Sequence, residues 1–142
     1  MKNGKYALII AIFALICYPI NDVVCIGLIV TAMTYAIVKA KDWEVIIKVA
    51  QPSLMIMSLY SLRAIIAIVI NSISNIAMLK DNYYSSKLYE NITNFNRIFA
   101  MILLVIAFVY IVVSIVFFMM NKDVPLYGKL ARKIIGDKKE ND

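Results

Sequence analysis

The chain has 142 residues, of which 63% are hydrophobic and only 17% charged, against roughly 45–50% and about 25% in soluble domains. That length allows one domain, and a soluble core of this size has no room for so much apolar surface, so the lipid bilayer is its expected solvent. The formal charge of +6 comes from 15 Lys and Arg against 9 Asp and Glu; the basic residues flank apolar runs and do not interleave with base-stacking aromatics, which points to anionic lipid headgroups and excludes nucleic acid.

Histidine is absent, which removes the commonest general base and the commonest transition-metal ligand together. The two cysteines, Cys17 and Cys25, form no CxxC pair. No catalytic residue, metal site or cofactor is therefore expected, and the chain reads as a non-enzyme.

The opening Met1–Lys5 followed by an apolar run superficially resembles a secretion signal. The run ends in Tyr18-Pro19-Ile20-Asn21-Asp22 without a small-x-small cleavage pattern, so it is expected to be a retained first span over about 6–20. Pro19, Asn21 and Asp22 suit a tight turn, with Asp22 as a helix cap. A second span follows over 23–40, antiparallel to the first because the turn is so short.

From Lys41 to Gln51 the pattern changes. Lys41, Glu44, Lys48 and Gln51 recur at spacings of three and four, opposite Trp43, Ile46, Ile47 and Ala50. This predicts an amphipathic helix in the headgroup plane with Trp43 as its anchor, and Pro52 marks a bend. The third span is expected over 53–79 and the fourth over 98–120. Between them lies a polar stretch, Lys80–Arg97, with Tyr83, Tyr84 and Tyr89 suited to a membrane boundary.

After Asn121 the pattern predicts a second amphipathic helix. Pro125 sits near its first turn, Leu126, Tyr127, Leu130, Ala131, Ile134 and Ile135 are its apolar side, Lys129, Arg132 and Lys133 its basic side, and Gly136 its end. A basic helix directly after a span reads as lying on the lipid surface, so Trp43, Lys129, Arg132 and Lys133 are the expected lipid-surface residues. The last six residues, Asp137–Asp142, carry no folding signal. The expected architecture is thus an all-α membrane protein: a four-helix bundle over residues 1–121 and a cytoplasmic basic amphipathic tail over 122–142.

Orientation follows from the loop charges. One side holds Lys2, Lys5, Lys39, Lys41, Lys48, Lys122, Lys129, Arg132, Lys133, Lys138 and Lys139, the other Lys80, Lys87 and Arg97. The positive-inside rule then puts both termini in the cytoplasm of a multi-pass cell-membrane protein.

Arg63 lies inside the third span, where a charge costs roughly 2.5–3.5 kcal/mol on insertion scales. Helical spacing sets Tyr60, Arg63, Ala67, Asn71 and Ser74 on one side, bordered by Ser72 and Asn75. Two readings stay open. The stripe faces the bundle interior or a wet cavity as a site for an anionic group, or Arg63 snorkels to a phosphate while Asn and Ser join helices. No span carries a carboxylate to alternate between substrate and proton, which argues against a proton-driven antiporter. Cys17 and Cys25 read as small buried hydrophobes, and the eight methionines as packing filler. Ala7-x-x-x-Ala11 and Gly27-x-x-x-Thr31 permit close helix approach. Asn91-Ile92-Thr93 fits a glycosylation sequon without a context that would use it.

The later half, residues 37–135, resembles the Tic20-like / DUF4870 group of small four-span membrane proteins. The resemblance is carried by the polar Lys39–Gln51 stretch leading into a span and by the closing Val124-Pro125-Leu126-Tyr127-Gly128-Lys129-Leu130-Ala131. The histidine-bearing segment common in that group is missing here. The resemblance implies a membrane location and membership of larger complexes, and it transfers no catalytic residue. The functional expectation is an accessory or scaffold subunit that binds membrane-protein partners or lipid, or a second copy of itself. The alternative is a small oligomeric channel or transporter lined by the Arg63 side.

Overall fold

A computed structural model describes residues 2–79 and 86–136, without the side chains of Lys2, Asn3, Met78, Ser86 and Tyr89. Among the described residues every regular element is helical: α1 (Lys2–Cys17), α2 (Asp22–Tyr35) extended by a π-helical turn (Ala36–Ala40), α3 (Trp43–Leu79), α4 (Ser86–Met119) and α5 (Tyr127–Ile135). Three stretches are long and apolar enough to cross a membrane: Asp22–Ala40, Trp43–Ala77 and Glu90–Met119. The apolar part of α1, Gly4–Cys17, is shorter. The sequence places the first span over 6–20, whereas α1 starts four residues sooner and ends at Cys17, because Pro19 and the Asn21 cap use the residues after it for the turn. Lys80, Tyr83, Tyr84 and Asp137–Asp142 lie outside the described residues.

Asn21, not Asp22, caps α2. Its side-chain oxygen accepts from the amides of Val23 and Val24 at 3.0 and 3.1 Å, which satisfies two of the donors that a helix start leaves open. At the far end of α2, Lys41 takes a left-handed conformation (φ 50°) and its amide donates to Ala36. Asp42 then accepts from the Glu44 amide at 3.1 Å and starts α3. The joint between α2 and α3 is thus two residues long.

The amphipathic stretch expected over 41–51 forms, from Trp43 onward, the first turns of α3, which runs on through Pro52. Proline removes one helical hydrogen bond, but the turn is supported by packing on several sides: Ile47, Val49, Ala50, Gln51 and Met55 are all buried. One turn back from Ser53, the Val49 carbonyl accepts its hydroxyl at 3.0 Å.

The chain divides into two compact units, Met1–Met57 with Val109–Asp142, and Ser58–Phe108. In the first, the core is a seam of small residues. Ala7, Ala11, Ala32, Ala36 and Val49 form one buried cluster, and the Cys25 thiol donates to the Ala14 carbonyl at 3.2 Å. Alanine lets α1 and α2 approach closely along their whole length, which dispersion rewards where lipid provides no hydrophobic drive. At the end of this seam a Cβ on Gly4 would meet Val45 at 2.8 Å. Gly27 faces open space, and Thr31 returns its hydroxyl to the Gly27 carbonyl at 2.7 Å, so this small-residue pair takes no part in the seam. Cys17 and Cys25 are not joined in a disulfide.

In the second unit, α3 and α4 continue as apolar rods with Ile65, Ile68, Val69, Met101, Val105 and Phe108 exposed, and Phe95 stacks on Phe99 at 6.2 Å. We expect Ala11→Leu or Ala32→Leu to cost about 1–3 kcal/mol through overpacking, while Gly27→Leu stays within about 0.5 kcal/mol. Unfolding in mild detergent, followed by helical circular dichroism, checks the contrast.

Candidate functional site

Where α4 ends, the chain turns back on itself. Asn121 is left-handed (φ 57°); its amide donates to Phe118 at 3.1 Å and that of Lys122 to Phe117 at 2.9 Å. These are the two bonds of a Schellman stop, with Asn in the place usually held by Gly. The next residues then pack against the first turns of α3.

The polar side of that helix start, expected from the sequence to lie in the headgroup plane, is what receives them. Gln51 is fully buried. Its amide donates to Asp123 at 2.8 Å and its carbonyl oxygen accepts from the Val124 amide at 2.9 Å. Lys48 donates to Asn121. Arg132 spans two carboxylates, reaching Asp123 at 2.7 Å through Nε and Glu44 at 3.1 and 3.0 Å through its two terminal nitrogens. At the end of α5 the Trp43 indole donates to the Gly136 carbonyl at 2.8 Å. Gly136 stops the helix at φ +90°, as its position in the sequence suggests.

This clasp is polar at its rim and apolar beneath. Ala131 joins Ile47 and Ala50 in a buried cluster, with Leu54, Met33 and Ile135 against it. Gly128 is required by contact, since a Cβ there would lie 2.6 Å from that of Asp123. Burial alone would raise the Asp123 pKa, but hydrogen bonds from Arg132 and Gln51, with the charges of Arg132 and Lys48, outweigh it and hold the carboxyl below its ordinary value. The Glu44 and Asp123 bonds in turn push the Arg132 guanidinium further up, against the opposing effect of its burial.

Of the residues expected to meet lipid, Trp43 and Arg132 are therefore engaged within the chain, while Lys129 and Lys133 are exposed. The signal for the clasp was present in the sequence as Gln51 and as Tyr110, whose hydroxyl donates to the Pro125 carbonyl, two polar side chains at the edge of or inside apolar helices. Nothing in helical spacing pairs either with residues some 15 or 70 positions away.

The Arg63 stripe lies in the other unit. Arg63, Ala67 and Asn71 are exposed, as are Ser72 and Asn75, while Tyr60 and Ser74 are half-buried. Among the described residues, no three metal-ligating side chains gather. No known family model matches the chain, and no curated protein or solved structure shows a significant match to it.

The depressed Asp123 pKa fixes the sign of an acid response: its contribution is complete above the ordinary Asp range and is lost as pH falls through the lower folded value. Acidification in detergent should raise acrylamide quenching of Trp43, the one tryptophan, in a step below pH 3.8, the ordinary value for Asp123. In Asp123→Asn that step should vanish and stability should fall by about 1 kcal/mol. A step centred above the ordinary range would contradict the assignment.

Proposed function

We propose that the chain is a multi-pass cell-membrane protein acting as a non-enzymatic accessory or scaffold subunit that binds membrane-protein partners and anionic lipid. In this reading α1 is a short fourth span and both termini lie in the cytoplasm. The first unit supports that topology. Gly4 lies against Val45, Arg132 against Glu44 and Gln51 against Asp123, so the start of α1, the α2–α3 joint and the closing segment share one end. That end carries Lys5, Lys39, Lys41, Lys48, Lys122, Lys129 and Lys133, and a concentration of cations marks the cytoplasmic boundary.

The observation that carries the partner role is the exposed stripe of Arg63, Ala67 and Asn71 on a helix of membrane length. Guanidinium and amide groups are poorly served by acyl chains and well served by a polar helix from another subunit. A small residue such as Ala67 in the middle of the stripe permits close approach. The same stripe favours a second reading, an oligomer whose copies line a polar path for an anionic solute.

Photo-crosslinkers at Ala67 and, as a control, at Val69 on the apolar flank separate these readings. We expect the Ala67 probe to give one stoichiometric heteromeric adduct in native membranes that is lost in Arg63→Ala, with little from Val69. Only self-adducts, together with labelling of cysteines at Tyr60, Asn71 and Ser74 by a membrane-impermeant thiol reagent, would replace the scaffold reading with the channel. No adduct and no labelling would remove both.

A further inference from the structure

The closing segment does more than follow the last span. The apolar run of α4 from Ile98 to Met119 is about 33 Å long at 1.5 Å per residue, close to the hydrocarbon thickness. Tyr110 therefore sits near its middle, about 13 Å inward of Met119. Yet the Tyr110 hydroxyl donates to the carbonyl of Pro125, and its ring meets that of Tyr127 edge-on at 5.3 Å. A tyrosine in a helix points back toward the N-terminus, which on α4 is further inward still. After leaving at Asn121, the chain thus returns alongside the span it came from.

We propose that residues 121–136 form a re-entrant segment. Pro125 and Leu126 dip below the headgroups, α5 climbs back out, and Lys129 and Lys133 meet the phosphates of anionic lipid. The contacts run in register with that path. Asp123 is held by Gln51, Pro125 by Tyr110, Arg132 by Glu44 and Gly136 by Trp43, so α5 rises past α3 toward the outer end of its first turns.

Non-helical backbone survives at such depth only when its polar groups find partners in the protein. Here they do. The Val124 amide has Gln51, the Pro125 carbonyl has Tyr110, and proline brings no amide to satisfy. The Tyr127 amide closes on Pro125 at 2.8 Å around Leu126, whose φ 68° and ψ −62° are those of the rare, strained γ-turn. Leu126, Leu130 and Ile134, spaced four apart, are 69%, 39% and 61% exposed, and Lys129 and Lys133 are exposed beside them. An apolar ridge with two cations along it matches acyl chains below and negative headgroups above. Arg132 is turned the other way, onto Glu44 and Asp123, so it positions the helix and leaves lipid contact to the lysines.

This inference rests on the membrane topology and lipid contact proposed above and not on a protein partner, so it is tested on the purified full chain alone. Nitroxides are placed singly at Leu126, Leu130 and Ile134 in a Cys17→Ser, Cys25→Ala background. The proteins are reconstituted in phosphatidylcholine vesicles with and without phosphatidylglycerol. Depth from oxygen against nickel-chelate accessibility should fall steadily outward from Leu126 to Ile134, by up to about 12 Å over eight residues. Lys129→Gln with Lys133→Gln should cut the preference for spin-labelled phosphatidylglycerol several-fold, with Trp43 emission unchanged as the sign of an intact clasp. Equal depths at the three sites would mean a helix lying flat, nickel access at all three a helix in water, and protection from both reagents a protein cover. Each of those results, or a lipid preference indifferent to the lysines, overturns the proposal.

Discussion

The peptide groups of Asn121–Leu126 impose the demand around which the first unit is arranged. They follow a helix of membrane length and are not helical themselves, so the regular helical bonds are missing there and other partners must satisfy these groups. Gln51 and Tyr110 do this from two different helices. Both look out of place in their own sequence neighbourhoods, and both are accounted for by the backbone they serve. Gly128 and Pro125 belong to the same solution, the first by leaving space for Asp123 and the second by removing a donor. Arg132 then ties the returning helix to Glu44 and Asp123, with every buried side-chain nitrogen and oxygen among the described residues satisfied.

Beneath this polar end the packing follows a different rule. Four alanines and one valine make the α1–α2–α3 contact, and large side chains such as Ile9, Phe13, Ile26 and Val30 point outward. A soluble protein would place them the other way round, because water would penalise the outward ones. In lipid there is no such penalty, and close approach of small residues is what holds helices together. The seam and the clasp are therefore complementary, one held by the close fit of small side chains and the other by hydrogen bonds and ion pairs.

The two candidate surfaces differ in the same way. Lys129, Lys133, Leu130 and Ile134 of α5 belong, in the proposal above, to a lipid surface, which needs no specific partner. The Arg63 stripe combines guanidinium, amide and hydroxyl groups at helical spacing on a membrane-length helix, and the scaffold reading proposed above assigns it to a partner with defined geometry.

Much of the fold was legible in the residues. Apolar runs marked the helices, Pro19 with Asn21 marked the first turn, Gly136 the last stop, and the uneven distribution of Lys and Arg the basic end. Less legible were features that depend on contacts between distant positions. The 41–51 segment has the spacing of a surface helix, but its Glu44, Lys48 and Gln51 meet the closing segment, and a pattern of alternation cannot distinguish water from a protein partner. Likewise the Ala7–Ala11 pair was visible, while its partners Ala32 and Ala36 were anonymous within an apolar run. Composition and periodicity by themselves determined that these stretches become helices in a lipid solvent, since hydropathy and backbone satisfaction are properties of each segment alone. Which sides of those helices meet, and that Arg132 faces Glu44 and Asp123 while Lys129 and Lys133 face outward, was decided only by tertiary packing, because burial and pairing energies depend on what lies across the gap.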